Sequence, residues 1–261
     1  MKKVLKGIYL ALIILFLYLP IFTLMVLSFN EGKTMNAWTG FSFRWYREMF
    51  SNRTIMEALG NTLTIAFWAA AAATVVGVMA CIGLNAMKEK HRSFFMGLNN
   101  IPLLNADIVT GISLMLSFLL FGISLNYGTV LFAHITFCIP YVILSVMPRL
   151  RATDASLHEA ALDLGCTPVK AFFKVILPSI STSIFTGAIM AFTLSLDDFV
   201  ISYFTCGHYQ TLPIVIYNMT KKTVTPDVYA LSTIIFLSVF VLLVLYNALQ
   251  SKSDSRRGIN V

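Results

Sequence analysis

Charged residues are scarce in this sequence. Asp, Glu, Lys and Arg together make up 12% of its 261 residues, whereas a soluble domain carries about a quarter. Hydrophobic residues make up 57%, and the mean hydropathy is +0.79. A chain with so few charges and so many apolar residues is not a soluble globular domain, so the composition indicates a membrane protein.

The sequence also lacks the residue patterns that nucleotide, metal or disulfide chemistry requires. No G-x-x-x-x-G-K-[ST] segment occurs, and Gly32-Lys33-Thr34 has no upstream glycine at the required spacing. The four cysteines have neither metal-ligand spacing nor a plausible pairing, and no Ser/His/Asp or Cys/His set indicates a catalytic site. We therefore expect a chain that is not an enzyme and that binds no cofactor or metal.

Long apolar runs dominate the chain instead. Six of them reach the roughly 20 residues that a helix needs to cross a bilayer. We place them near residues 8–29, 61–87, 98–121, 127–147, 180–205 and 228–250. The first run is longer than a signal-peptide core and no small-x-small cleavage site follows it, so we expect an uncleaved span. The sequence predicts an all-α membrane protein with one transmembrane domain, residues 1–261, and six spans.

The positions of the basic residues predict the orientation of these spans. If six spans alternate, 13 of the 19 Lys and Arg residues fall on one side of the membrane. They lie at the N-terminus, after the second span, after the fourth span and in the C-terminal tail. Because basic residues are enriched in cytoplasmic loops, we expect both termini in the cytoplasm. Topology then accounts for most of the net charge of +7, and we do not expect nucleic-acid binding.

A polar stretch, EAALDLGCTPVKAFFKVILP, interrupts the apolar runs within a segment of about residues 154–178. Its first part is rich in strong helix formers, and Gly165 stands where a left-handed residue ends many helices. Thr167 can cap a second helix, with Pro168 at its first position. The sequence predicts a helix, a glycine turn and a second helix that ends at Pro178. We expect the second helix to hold three apolar side chains against the spans: Phe172, Phe173 and Ile176.

Three carboxylates lie within the apolar runs: Asp107, Asp197 and Asp198. Each charge near the bilayer centre costs about 2.5–3.5 kcal/mol on insertion scales, and no Lys or Arg of the same layer can pair with them. Two interpretations stay open. Either the carboxylates make structural hydrogen bonds to a second membrane subunit, or they line a path for a cation together with Ser195. Carboxylates at different depths suit an elongated cation with separated amines, whose methylenes Trp45 could cover.

The polar stretch resembles the EAA loop of ABC-importer permeases. The match begins with Glu159-Ala160-Ala161. Gly165 follows after a gap of three residues, and Val175-x-Leu177-Pro178 follows after a further gap of nine. Val175 stands where the family usually has Ile. The resemblance implies a type I permease fold with six spans, in which this loop is a cytoplasmic coupling helix that docks into an ATPase subunit. ATP hydrolysis would then belong to partner subunits.

A second resemblance concerns the acidic residues. FTLSLDDFVIS (residues 192–202) and LNADIV around Asp107 resemble the permeases of spermidine/putrescine importers. The resemblance implies a bacterial inner-membrane protein with five residues on a polyamine path: Trp45, Asp107, Ser195, Asp197 and Asp198. It also implies a heterodimer with a second permease, two ATPase subunits that use ATP and Mg, and an extracytoplasmic substrate-binding protein.

Two other interpretations stay open. The chain could be an ABC permease for another cationic or small solute, because unpaired carboxylates favour a cation but do not indicate how many amines it carries. It could also be an ion-coupled secondary carrier, in which Asp107 and Asp198 bind protons. The EAA loop and the lack of an internal inverted repeat disfavour a carrier.

Overall fold

The computed structural model describes residues 2–32, 38–153, 155–222, 226–238 and 240–241, and all regular elements within them are helices. The all-α prediction is confirmed. The helices are α1 (Lys2–Leu27), α2 (Arg44–Ser51), α3 (Arg53–Ala86), α4 (Glu89–Leu104), α5 (Asp107–Leu120), α6 (Tyr127–Ala152), α7 (Ala155–Asp163), α8 (Pro168–Ala171), α9 (Leu177–Asp197), α10 (Val200–Thr205), α11 (Leu212–Lys222) and α12 (Pro226–Ser238). A π-helical segment, Phe172–Ile176, joins α8 to α9.

Within the described residues, four helical segments are long and apolar enough to cross a membrane. They are Lys6–Leu27, Arg53–Ala86, Tyr127–Ala152 and Pro168–Asp197. A fifth span results if α4 and α5 are counted as one bent pair. The last predicted span, 228–250, begins within α12, and much of it lies outside the described residues.

The predicted third span, 98–121, is not one continuous helix. α4 ends at Leu104, α5 begins at Asp107, and the pair is bent by 104°. Asn105 and Ala106 between them have extended backbone conformations, so the pair forms either a broken span or a re-entrant loop. Tertiary packing explains the direction of α5: a Cβ on Gly111 would lie 3.1 Å from the Phe204 side chain, so α5 packs closely against α10.

The predicted fifth span, 180–205, starts earlier and ends earlier than expected. Helix runs without a break from Pro168 to Asp197, so the predicted end of the second loop helix at Pro178 was wrong. Pro178 has no backbone N–H, and its ring crowds the carbonyl four residues before it. The π-helical turn directly before Pro178, in which the Leu177 N–H bonds to the Phe172 carbonyl, widens the helix and accommodates the proline.

The chain forms two compact units, residues 1–56 with 216–261 and residues 57–215. In the first unit, the segment after α1 is closed by an isolated bridge between Asn30 and Phe41. The Phe29 ring stacks on the Phe41 ring with centroids 5.3 Å apart, and both rings contact Phe43 edge-on. These aromatic contacts and the bridge give the segment a defined conformation.

The second unit is built around α6, and more than half of the most apolar stretch of this helix is buried. Small residues allow its neighbours to approach closely, as is common between membrane helices. A Cβ on Gly77 of α3 would lie 2.8 Å from Val142, and a Cβ on Gly187 of α9 would lie 3.4 Å from the Val142 Cα. α6 therefore aligns α3, α9 and, through the contacts described below, α10.

Candidate functional site

The three predicted carboxylates all lie at helix ends in the second unit. Asp107 is the first residue of α5 and Asp197 is the last residue of α9, and both are exposed. Asp198 follows α9 in an extended conformation, and its side chain is only 6% exposed. The adjacent residues Asp197 and Asp198 therefore occupy different environments.

Asp198 is held by the first turn of α10. Its carboxylate accepts hydrogen bonds from the backbone N–H of Ser202 at 2.8 Å and of Ile201 at 3.3 Å. Backbone donors at the start of a helix lack partners within the helix, and a carboxylate satisfies them well. This bonding explains why α9 ends at Asp197 and why a separate short helix begins at Val200.

A buried histidine of α6 completes this arrangement. The His134 ring is 1% exposed, its Nδ1 lies 2.6 Å from the Ser195 Oγ, and its Nε2 lies 2.9 Å from the Ser202 Oγ and 3.4 Å from the Asp198 carboxylate. An ionised carboxylate only accepts hydrogen bonds, so the tautomer with its proton on Nε2 fits these contacts. In the neutral ring, Nδ1 then accepts the Ser195 hydroxyl proton.

Asp107 and Asp197 differ from Asp198 in having open surroundings. Within the described part of the chain, no Lys or Arg forms an ion pair with either of them. As the first residue of a helix, Asp107 also benefits from the partial positive charge of the helix N-terminus. Two exposed carboxylates without a cationic partner can bind the ammonium groups of a ligand.

Trp45 lies in the first unit and is only 5% exposed. Its indole N–H donates to the Asn30 carbonyl at 2.7 Å, and the Arg44 guanidinium lies 5.1 Å from the ring centroid. These contacts tie α2 to the segment that follows α1. A contact between Trp45 and a substrate stays a prediction.

The predicted helix, glycine turn and helix are present in the polar loop. Gly165 has a left-handed backbone with φ of +84°. The Cys166 N–H donates to the Ala161 carbonyl at 3.0 Å, and the Gly165 N–H donates to the Leu162 carbonyl at 2.8 Å. This pair of bonds is the Schellman motif, which ends a helix at a left-handed residue. The turn after α7 is therefore determined by the glycine.

The side chains of the predicted coupling residues are mostly accessible. Glu159, Ala160 and Pro178 are exposed, Leu177 is half-buried and Ala161 is buried. One prediction for the second helix was wrong, because Phe173 is 60% exposed and does not pack against the spans. The π-helical turn changes the periodicity at this point and directs consecutive side chains differently from an α-helix.

A cavity of about 560 Å³ lies beside this helix pair. Its charged lining consists of Glu159 from α7, Arg92 from α4 and Arg151 from α6, and its apolar lining includes Phe172 and Ile176. Two guanidinium groups against one carboxylate make the cavity a poor site for a cation. It is therefore chemically distinct from the exposed carboxylates at the ends of α5 and α9.

Comparisons with known proteins identify the family of the chain. The profile of the family described as "Binding-protein-dependent transport system inner membrane component" matches residues 1–258. The chain is 38% identical to the spermidine/putrescine transport system permease protein PotC of Haemophilus influenzae. The match extends over 251 residues and covers 96% of this chain and 98% of the relative. It is 40% identical over 228 residues to the putrescine transport system permease protein PotI of Escherichia coli, which covers 84% of this chain and 81% of the relative.

Among solved structures, the fold resembles a bacterial alginate ABC transporter in complex with a periplasmic protein that holds an alginate pentasaccharide. The TM-score is 0.70 at 16% identity, and the match covers 98% of this chain and 95% of that one. At this identity the likeness concerns the fold alone.

Proposed function

Because the chain belongs to the family of binding-protein-dependent transport system inner membrane components, we propose that it is the permease subunit of an ATP-driven polyamine importer. The observation that carries the proposal is the pair of exposed carboxylates, Asp107 and Asp197, without an ion-pair partner in the described residues. The similarity to spermidine/putrescine and putrescine permeases along most of the chain supports the substrate class.

In the proposed path, Asp107 and Asp197 contact the ammonium groups of the polyamine. Asp198 and Ser195 are buried and bonded to the protein, so they act on the substrate by orienting the break after α9. Trp45 belongs to the other compact unit, and its proposed role is a contact between its aromatic ring and the substrate cation. A cation that loses its water in the membrane needs such anionic contacts, since an unpaired charge there is costly.

The same proposal assigns the helix pair α7–α8 to coupling. Glu159, Ala160 and Ala161 of α7 would dock into an ATPase subunit on the cytoplasmic face. The turn at Gly165 would pass the movement of α7 to α8, and Leu177 and Pro178 lie where the π-helical segment joins α9. Helical continuity from Pro168 to Asp197 connects this docking surface to the proposed cation site.

The proposal extends to the full assembly. The proposed importer contains this chain with six spans and cytoplasmic termini in the inner membrane of a bacterium, a second permease as its heterodimer partner, two ATPase subunits and an extracytoplasmic binding protein. ATP and Mg would be used by the ATPase subunits, and this chain would bind no cofactor and catalyse no reaction. The complex of the structurally similar alginate transporter with its periplasmic protein supports a binding-protein partner.

Uptake of labelled polyamines tests the proposal. Cells without their own polyamine importers would express this chain with its neighbouring transporter genes, as wild type, Asp197→Asn or the exposed control Glu89→Gln. We expect ATP-dependent uptake by the wild type and the control, and a loss of about tenfold or more in Asp197→Asn, because an anionic contact to the cation is removed.

The outcomes separate the alternatives. An assembled wild-type complex that takes up neither spermidine nor putrescine would refute the polyamine assignment and direct the search to other cationic solutes. Failure of Asp197→Asn to assemble, with normal assembly of Glu89→Gln, would instead assign Asp197 to contacts between subunits. Uptake without the ATPase subunits would favour an ion-coupled carrier.

A further inference from the structure

We propose that His134 is a positioning residue for transport, which holds Asp198 in the buried break between α9 and α10 and thereby orients the exposed carboxylates Asp197 and Asp107. The inference rests on the proposed function for its effect on uptake. The arrangement of the side chains, in contrast, follows from the contacts of the second unit alone.

A single imidazole ring joins three helices. His134 belongs to α6, and its two nitrogens lie 2.6 Å from the Ser195 hydroxyl of α9 and 2.9 Å from the Ser202 hydroxyl of α10. Nε2 is also 3.4 Å from Asp198, which lies between the two helices. The two hydrogen bonds and the close approach to Asp198 connect the ring to both sides of the break, since Ser195 precedes it on α9 and Ser202 follows it on α10.

Burial raises the cost of losing these hydrogen bonds. His134 is 1% exposed, Ser195 is 2% exposed and Ser202 is fully buried. Water cannot replace a lost partner in such an environment, so a removed hydrogen bond leaves a buried polar group unsatisfied. The Asp198 carboxylate would be affected most. A shift of this side chain out of its buried position would change the backbone at the neighbouring Asp197.

The influence of the ring extends to Asp107 through the packing of α10 on α5. A Cβ on Gly111 would lie 3.4 Å from both the Ile201 Cα and the Val200 carbonyl, so the two helices meet backbone to backbone. Gly111 lies four residues after Asp107, one helical turn along α5. A shift of α10 therefore displaces the helix end that carries Asp107.

Two substitutions of His134 separate hydrogen bonding from packing. In the complete transporter, His134→Leu keeps an apolar side chain of similar size but makes no bond, whereas the amide of His134→Gln can both donate and accept. We expect the polyamine concentration for half-maximal uptake to rise about tenfold in His134→Leu, and His134→Gln to recover most of that change. The control is Thr205→Val, since the buried Thr205 hydroxyl donates only within its own helix, to the Ile201 carbonyl.

An unchanged half-maximal concentration in His134→Leu would overturn the inference, as would equal defects in the Leu and Gln variants. If His134→Leu does not assemble, Ser195→Ala and Ser202→Ala each remove one bond of the ring. Both are expected to raise the half-maximal concentration several-fold, and wild-type values in both would overturn the inference as well.

A labelling experiment tests the positioning role independently of the transported solute. Asp197→Cys in a Cys166→Ser background offers one exposed thiol among the described residues, since the other three cysteines are buried. We expect His134→Leu to change its labelling rate with a cationic methanethiosulfonate reagent by about threefold or more, while Thr205→Val leaves the rate unchanged. Equal rates would refute the inference even where the polyamine assignment fails on its own.

Discussion

Replacing Gly165 by alanine tests whether the turn between α7 and α8 matters for coupling. The glycine has φ of +84°, and nothing lies within 4 Å of the position that a Cβ would occupy. Alanine would therefore meet no steric obstacle from its neighbours. Its entire effect comes from the left-handed backbone, which L-residues other than glycine and, to some extent, asparagine rarely adopt.

The expected magnitude follows from that backbone cost. A left-handed conformation costs an alanine about 1–2 kcal/mol, which corresponds to a factor of roughly 5–30 in the stability of the turn. The Schellman bonds from Cys166 and Gly165 to the end of α7 depend on the same conformation. We expect ATP-driven uptake by Gly165→Ala to fall by up to this factor, while membrane insertion stays normal.

The assay compares uptake and ATP hydrolysis by the purified transporter in liposomes, so that solute moved per ATP is measured directly. Gly165→Asn is the informative companion, because asparagine tolerates the left-handed region, and we expect it to retain more uptake than Gly165→Ala. Cys166→Ala keeps the backbone N–H and serves as the control. Equal activity of Gly165→Ala and wild type, or an equal loss in the Asn variant, would refute the reasoning from φ.

Two further predictions concern stability. Gly77→Leu should lower the thermal midpoint of the detergent-solubilised protein, because even its Cβ would lie 2.8 Å from Val142, and overpacking costs about 1–3 kcal/mol. Gly83→Leu on the same helix has open space and should melt like the wild type; equal midpoints for the two variants would contradict the close packing of α3 on α6. Trp45→Phe should destabilise the packing of α2 on the segment that follows α1 by about 1 kcal/mol through loss of its buried hydrogen bond, measured as faster proteolysis. Trp38→Phe, at a position that is 52% exposed, should have no such effect, and similar proteolysis of both would refute the structural role.

The elements that depend on local patterns could be predicted from the sequence. Length and hydropathy located the spans that α3 and α6 form, and the glycine turn followed from Gly165, Thr167 and Pro168. The bend between α4 and α5 was not predicted, because residues 98–121 were interpreted as one apolar run although the polar residues Asn105 and Asp107 interrupt it. The direction of α5 depends on packing against α10, which lies some ninety residues further along the chain and leaves no periodic signal.

The candidate site divides in the same way. The carboxylates could be identified because a charge in an apolar run is unusual, but their different environments could not. Asp197 and Asp198 are neighbours in sequence, yet only Asp198 is buried against His134. The hydrogen bonds of His134 to Ser195 and Ser202 join residues 61 and 68 positions apart, and a single histidine in an apolar run gives no indication of its partners. The polar residues of α9 and α10 were the available hint, since buried hydroxyls in membrane helices require partners.

The unbroken helix from Pro168 to Asp197 has a mechanical consequence. At 1.5 Å per residue, its 30 residues form a lever of about 45 Å, with the glycine turn at one end and an exposed carboxylate at the other. A tilt of about 10° about one end would displace the other by about 8 Å, more than one helical turn. If the helix moves as a rigid body, small angular changes beside Gly165 therefore displace Asp197 by several ångströms.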